Sequence, residues 1–231
     1  MNNPKTVLVT GANRGIGLEV CKQLAELGFK VFLTARNVHA GEHAVAKLKS
    51  NGHDIHFIEL DVSKEESIKT ASQKFSQVDV GLNVLVNNAA ILIDDTNIFN
   101  ANTELLIKSL NTNTFGPVNV INNFLKFMNK GSRIINVSSG AGSISNMISY
   151  APLYSISKAA LNAVTKQFAS VLAGKKIAVN SVDPGWVKTD MGGRGAPRPL
   201  SKGVETIVWL ASEAPIDLTG KFPKDKREVE W

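Results

Sequence analysis

The sequence predicts an α/β protein: one doubly wound parallel sheet with helices on both faces. Three observations carry this expectation. Short runs of β-branched and apolar residues alternate with longer runs of helical period. Those short runs are almost continuously apolar, as strands are when both faces are covered. At 231 residues and 43% hydrophobic composition, the chain suits one large domain and can bury a substantial core without cross-links.

The elements follow in order. KTVLVT (5–10) is a strand leading through a glycine-rich turn into a helix over 15–28. There Leu18, Cys21, Leu24, Ala25 and Leu27 form one apolar stripe, and Gly28 stands where a C-cap glycine belongs. KVFLTA (30–35) precedes a helix over 38–51, and DIHFIEL (54–60) one over 64–77, with Ser63 as its cap and Glu66 at the capping-box position. LNVLVNN (82–88) leads to one long helix over 103–129, SRIINVSS (132–139) to a helix over 151–173, and KIAVNSVD (176–183) to a helix over 201–212. Six βαβ units with right-handed crossovers bring the carboxyl ends of the strands to one edge, where ligands bind in such sheets. No internal repeat or linker interrupts the pattern. MGGRGAPRPL (191–200) is too short to divide domains and reads as a mobile loop, so residues 1–231 are expected to form a single domain.

Composition narrows the function. No apolar run approaches the roughly 20 residues of a membrane span. The opening MNNPKTVLVTG has neither a signal-peptide pattern nor an arginine-rich lead, which points to a cytoplasmic protein without a membrane partner. The single cysteine, Cys21, reads as a small buried hydrophobe. A net charge of +6 raises the question of nucleic acid, but the lysines are dispersed and no basic stripe interleaved with aromatics exists. A nucleic-acid partner is not expected, and no cluster suggests a metal.

The chemistry-bearing residues concentrate at the predicted strand ends. Gly11, Gly15 and Gly17 lie between the first strand and first helix, where glycine permits a tight turn and close approach to a pyrophosphate at a helix N-terminus. The spacing is G-x-x-x-G-x-G, whose mechanics match those of the commoner dinucleotide fingerprint. After the second strand, Ala35 and Arg36 replace the carboxylate that would take a ribose 2′-hydroxyl. A guanidinium there, with Arg14 from the glycine turn, would hold a 2′-phosphate, so NADP(H) is the expected cofactor. Asp61 ends the third strand as a partner for an adenine amino group. Asn87 and Asn88 close the fourth, either bracing the sheet or touching ribose. Tyr154 and Lys158 lie one helical turn apart, so an ammonium can sit against a phenol and make it a better acid.

In this order, TGANRGIG (10–17), NNA (87–89), SS (138–139), YSISK (154–158) and PGWVKT (184–189) resemble the short-chain dehydrogenases/reductases, over nearly the whole chain. GANRGIG, TAR, PGWVKTDMGG and the closing GKFPKDKREVEW are further similar to the NADPH-dependent carbonyl reductase and sniffer-like branch. The resemblance implies a Rossmann-type domain and a catalytic set of Asn113, Ser139, Tyr154 and Lys158. Asn111 is a rival to Asn113 that lacks the glycine three residues on, supplied to Asn113 by Gly116. It also implies a cofactor site of Gly11, Asn13, Arg14, Gly15, Ile16, Gly17, Arg36, Asp61, Val62, Asn88, Ala89, Tyr154, Lys158, Pro184, Val187 and Thr189. Ser139, Tyr154 and Trp186 would face substrate beneath a lid near 187–200, with Ile91–Ile93 contributing either wall or core.

Three features depart from the family pattern. NNAG becomes NNAA at Ala90, the gap from Ser139 to Tyr154 is slightly long, and the insertion that caps monomeric carbonyl reductases is missing. An open pocket and a homodimer or homotetramer would follow, with Leu161, Val164, Phe168 and Leu172 as a pairing face that the domain's own core could equally use. The implied activity is NADPH-dependent reduction of a small-molecule aldehyde or ketone. In it Ser139 aims the carbonyl, Tyr154 gives the proton, Lys158 favours phenolate and Asn113 holds a water. The alternative is a catalytically inactive NADP(H)-sensing regulator of the same fold. Retention of Ser139, Tyr154 and Lys158 argues against it.

Overall fold

A computed structural model describes residues 4–93 and 97–231, so the first three residues of the opening stretch lie outside the described residues. The continuously apolar runs become six parallel strands: β1 (Thr6–Val9), β2 (Lys30–Ala35), β3 (Ile55–Glu59), β4 (Val84–Asn87), β5 (Arg133–Val137) and β6 (Ala178–Val182). Their order is β3-β2-β1-β4-β5-β6, which reverses direction between β1 and β4 and opens a crevice at the carboxyl edge. Helices α1 (Gly15–Glu26), α2 (Val38–Lys49) and α7 (Leu200–Ser212) belong to one face; α3 (Glu65–Ser76), α4 (Thr103–Leu110), α5 (Gly116–Phe124) and α6 (Pro152–Leu172) to the other.

Each face has its own core. Val7, Val20, Leu24, Val31, Val84 and Leu210 fill the first. The second is aromatic in part, with Phe75 set edge-on to Phe32 at 4.9 Å and to Phe124 at 5.7 Å. Cys21 is fully buried, and burial pushes its thiol well above the usual range, as a structural rather than reactive cysteine requires. Gly28 ends α1 at φ +80°, where its N–H reaches Ala25 O at 2.9 Å.

Two expectations change, one alternative is decided and one element is new. The helix expected over 103–129 is broken by a π-helical turn at Asn111–Phe115 between α4 and α5, because NTNT supplies poor helix formers and Asn113 turns inward to bond the end of β4. Ser63 does not cap α3. Its N–H and hydroxyl both donate to Asp61 Oδ1, at 3.1 and 2.7 Å, and α3 begins after Lys64 without a side-chain cap. Leu161 and Leu172 are buried in the domain's own core and Phe168 packs against it, so that face no longer argues for subunit pairing. A short hairpin, β7 (Pro223–Lys224) with β8 (Arg227–Glu228), was not foreseen.

The end of α6 supplies a stability test. Lys176 takes the left-handed conformation (φ 55°, ψ 42°) that a glycine usually holds, with Ile177 N–H reaching back to Leu172 O at 3.4 Å. Lys176 is exposed, so Lys176→Gly should raise unfolding stability by about 0.5–1 kcal/mol in urea titration.

Candidate active site

The glycine turn leaves the end of β1 as a backbone cradle. Gly11 and Gly15 hold φ +61° and +55°, and a Cβ on Gly11 would come within 2.8 Å of Ala89 Cα. A Cβ on Gly17 would lie 2.5 Å from Asn88 Nδ2 and 2.7 Å from Gly11 O. Arg14 precedes α1 without capping it through its side chain and no acid occupies the first turn, so the helix N-terminus faces the crevice as a site for anionic groups. These features fit a dinucleotide pyrophosphate.

Asn88 secures that turn rather than reaching outward. Its Nδ2 donates to Thr10 O at 2.9 Å and Gly11 O at 3.0 Å, while Thr10 Oγ1 accepts the N–H groups of Asn88 and Ala89. Asn87 begins a buried polar chain across the sheet: Asn87 Nδ2 to Asn136 Oδ1 (2.9 Å), Asn136 Nδ2 to Thr165 Oγ1 (2.8 Å), and Thr165 to Ser181 (2.8 Å). Bracing is therefore what these amides do within the chain.

The arginines differ. Arg36 is exposed at the end of β2, directly after buried Ala35. Arg14 Nη1 instead contacts Asp190 Oδ2 at 2.7 Å in an open ion pair spanning from the glycine turn to the segment after β6. That segment comes close in other ways too: Thr189 Cγ2 lies 3.6 Å from the position a Cβ on Gly15 would take. Val187 is buried and bridged to Arg198, Trp186 is 60% exposed, and its Nε1 donates to Gly192 O at 2.8 Å. The loop at 191–200 is thus tied at its base.

At the end of β5, Ser139 and Tyr154 come together. Tyr154 is 8% exposed, and the Ser139 side chain neighbours its hydroxyl. Lys158 is 2% exposed, with Nζ 5.6 Å from the Tyr154 ring centroid and 2.7 Å from Val137 O, to which it donates. The expectation of an acidified phenol is not met by the protein alone. Burial pushes Tyr154 up to about 12; the neighbouring Ser139 side chain opposes this and the Asp183 charge reinforces it. Burial likewise brings Lys158 down to about 7. Spacing in sequence placed the lysine on the correct face but did not reveal that the Val137 carbonyl holds its head.

Lys158 makes stability depend on pH in a definite direction. Its folded value of about 7 lies below the ordinary 10.5, so between these values the unfolded chain binds a proton that the folded chain does not. Stability then rises with pH in that window, by up to about 1.4 kcal/mol per pH unit. Urea unfolding at about pH 7.5 and 9.5, the window set by this linkage, should show the rise in the native protein and lose it in Lys158→Met.

Asn113 is fully buried in the π turn, whereas Asn111 is exposed. Asn113 Oδ1 accepts Ile91 N–H at 2.8 Å, and its Nδ2 donates to Ile91 O at 2.8 Å and Ser157 Oγ at 2.9 Å. Its amide therefore ties the stretch after β4 to the turn of α6 carrying Tyr154 and Lys158. Ser157, which bonds Asn113 and donates to Tyr154 O at 2.7 Å, was missed because a serine inside a helix carries no sequence signal. Gly116 completes this arrangement, since a Cβ there would lie 2.9 Å from Val62 O. Asp61 sits half-buried beside it at the end of β3. Among the described residues there is no cluster suited to a metal, and no helix is long and apolar enough to cross a membrane.

A doubly wound sheet with a glycine cradle at its crevice and a serine–tyrosine–lysine set across from it defines the class: a dinucleotide-binding oxidoreductase. Residues 5–198 match the short chain dehydrogenase family, and the chain belongs to it. Carbonyl reductase [NADPH] 1 of Sus scrofa is 33% identical, with all of this chain and 95% of that protein covered. Human carbonyl reductase [NADPH] 3 is 31% identical over 98% of each. Among solved structures, NADPH-bound carbonyl reductase from chicken fatty liver superimposes with a TM-score of 0.90 at 31% identity over the full length of both chains. The carbonyl reductase Sniffer of D. melanogaster gives 0.87 at 33% identity, covering 99% and 100%. The alignment with the Sus scrofa protein runs over 281 positions against 231 residues here, so that relative carries about 50 positions this chain lacks.

Proposed function

We propose that this protein is an NADPH-dependent carbonyl reductase in which Tyr154 delivers the proton. The observation that carries the proposal is the Tyr154 phenol, next to Ser139 and buried beside Lys158, at the same sheet edge as the glycine cradle. Gly11, Gly15 and Gly17 with the N-terminus of α1 would hold the pyrophosphate, and Arg36 the 2′-phosphate. Bound NADPH supplies the hydride.

As hydride reaches the carbonyl carbon, negative charge grows on oxygen and needs a donor. A phenol at about 12 stays protonated throughout the neutral range, which is the state a proton donor must have. Ser139 donates to the same oxygen and aims it at Tyr154. The phenolate left behind needs positive charge nearby, and Lys158 provides it when protonated. Asn113 and Ser157 keep this turn of α6 fixed against β4. Thr189 and Trp186 lie on the other wall, where a lid over 187–200 would close on substrate. Steady-state NADPH oxidation with aldehydes, ketones, diketones and quinones tests this reading. It predicts turnover with at least one class and a preference for NADPH over NADH; no turnover with any class would overturn it.

A further inference from the structure

We propose that the segment Phe222–Trp231 is a staple that sets both walls of the substrate cleft, with Trp231 as its positioning residue. The proposal rests on the reading of Ser139 and Tyr154 as the reacting centre. One wall is the loop joining those two residues. Its positions 144–150 are exposed, including Ile144 and Ile148 at 72% and 74%, so the loop has little packing of its own. It is bonded to the staple: Ser143 Oγ donates to Glu230 O at 3.1 Å, while Ser145 N–H and Oγ both donate to Trp231 O at 2.9 Å.

The same segment holds the opposite wall. Asp183 N–H donates to Pro223 O at 3.0 Å, and Lys224 Nζ pairs with Asp183 Oδ2 at 3.0 Å. The other carboxylate oxygen of Asp183 accepts Gly185 N–H at 2.8 Å, fixing the turn that starts the Trp186–Thr189 stretch. Asp225 takes both guanidinium nitrogens of Arg198 at 2.7 and 2.8 Å, and Arg198 is the residue bridged to Val187. Among the described residues no hydrogen bond joins the two walls, and both are thereby referred to one short hairpin.

Trp231 keeps the hairpin seated. Its ring stacks on fully buried Phe222 at 5.4 Å and 23°, and Lys166 Nζ from α6 lies 5.2 Å over its face. Without the ring, the carbonyl that accepts two bonds from Ser145 keeps only the backbone anchors at Val229 and Glu230 beside it. A displaced substrate wall weakens the positioning of the carbonyl, and a shift of about 1 Å can cost up to about a hundredfold in catalytic efficiency.

The test compares Trp231→Ala and Trp231→Phe by hydrogen exchange, NADPH fluorescence titration and carbonyl kinetics. Trp231→Ala should speed amide exchange across 143–147 about tenfold or more, and lower kcat/KM for the carbonyl about tenfold, mainly through KM. NADPH affinity should stay within about threefold, since the contacts of Trp231 itself go to Ser145, Phe222 and Lys166 and not to the glycine cradle or to Pro184, Val187 and Thr189, and Trp231→Phe should restore both exchange and KM. Unchanged exchange in Trp231→Ala would overturn the proposal. So would loss of NADPH affinity in step with turnover, which would mean general loosening, or failure of phenylalanine to rescue. If the native protein reduces no carbonyl, the reductase reading fails while the exchange result still decides the staple.

Discussion

Tyr154→Phe should lower kcat for carbonyl reduction about 10³-fold or more, at the upper end of what a positioned acid contributes, with NADPH binding kept within about threefold because the aromatic ring remains in place. The substitution removes one oxygen from a side chain that is 8% exposed and leaves the ring beside Lys158. Its structural cost is the polar contact of the hydroxyl with Ser139, at most about 1 kcal/mol. Melting temperature and NADPH fluorescence titration separate this local change from unfolding, and single-turnover kinetics locates the defect in the chemical step. A variant with near-native turnover would remove the proton-donor role from Tyr154.

The second large effect is expected at Arg36. Arg36→Asp places a carboxylate where NADP(H) carries its 2′-phosphate, and converts attraction into repulsion. Arg14 is a weaker competitor for that phosphate because it is already paired with Asp190 at 2.7 Å. The catalytic efficiency with NADPH should fall about 100-fold or more, the loss of a charge-assisted bond compounded by like-charge repulsion. Efficiency with NADH should hold or rise, since aspartate can take the free 2′-hydroxyl. Parallel kinetics with both cofactors give the ratio, and equal losses would show that Arg36 does not select between them.

Much of the scaffold was legible because its signals are local. Strands such as VLVT and VFLTA are apolar on both faces, and the sheet buries both. Gly11 and Gly15 were legible because the turn needs positive φ. The features that escaped depend on partners far apart in sequence. The π turn at Asn111–Phe115 follows from Asn113 bonding Ile91 and Ser157, and the β7–β8 hairpin has strands too short for periodicity to mark. The phenol's raised pKa also escaped, since an i,i+4 spacing says that Lys158 shares a face with Tyr154 but not that tertiary packing buries the phenol, or that Val137 O takes the lysine head. Amphipathic period likewise nominated Leu161 and Leu172 for a subunit contact, yet could not tell such a face from one buried against the domain's own sheet.

The central claim is that this chain carries hydride from NADPH to a carbonyl carbon with proton delivery by Tyr154. Its most direct measurement uses NADPH deuterated at the transferring position of the nicotinamide ring, with mass spectrometry of the alcohol formed by the native protein and by Tyr154→Phe. The account predicts one deuterium on the carbinol carbon from the native protein and almost no labelled alcohol from the variant. Alcohol without the label, or labelled alcohol formed equally well by the variant, would contradict it.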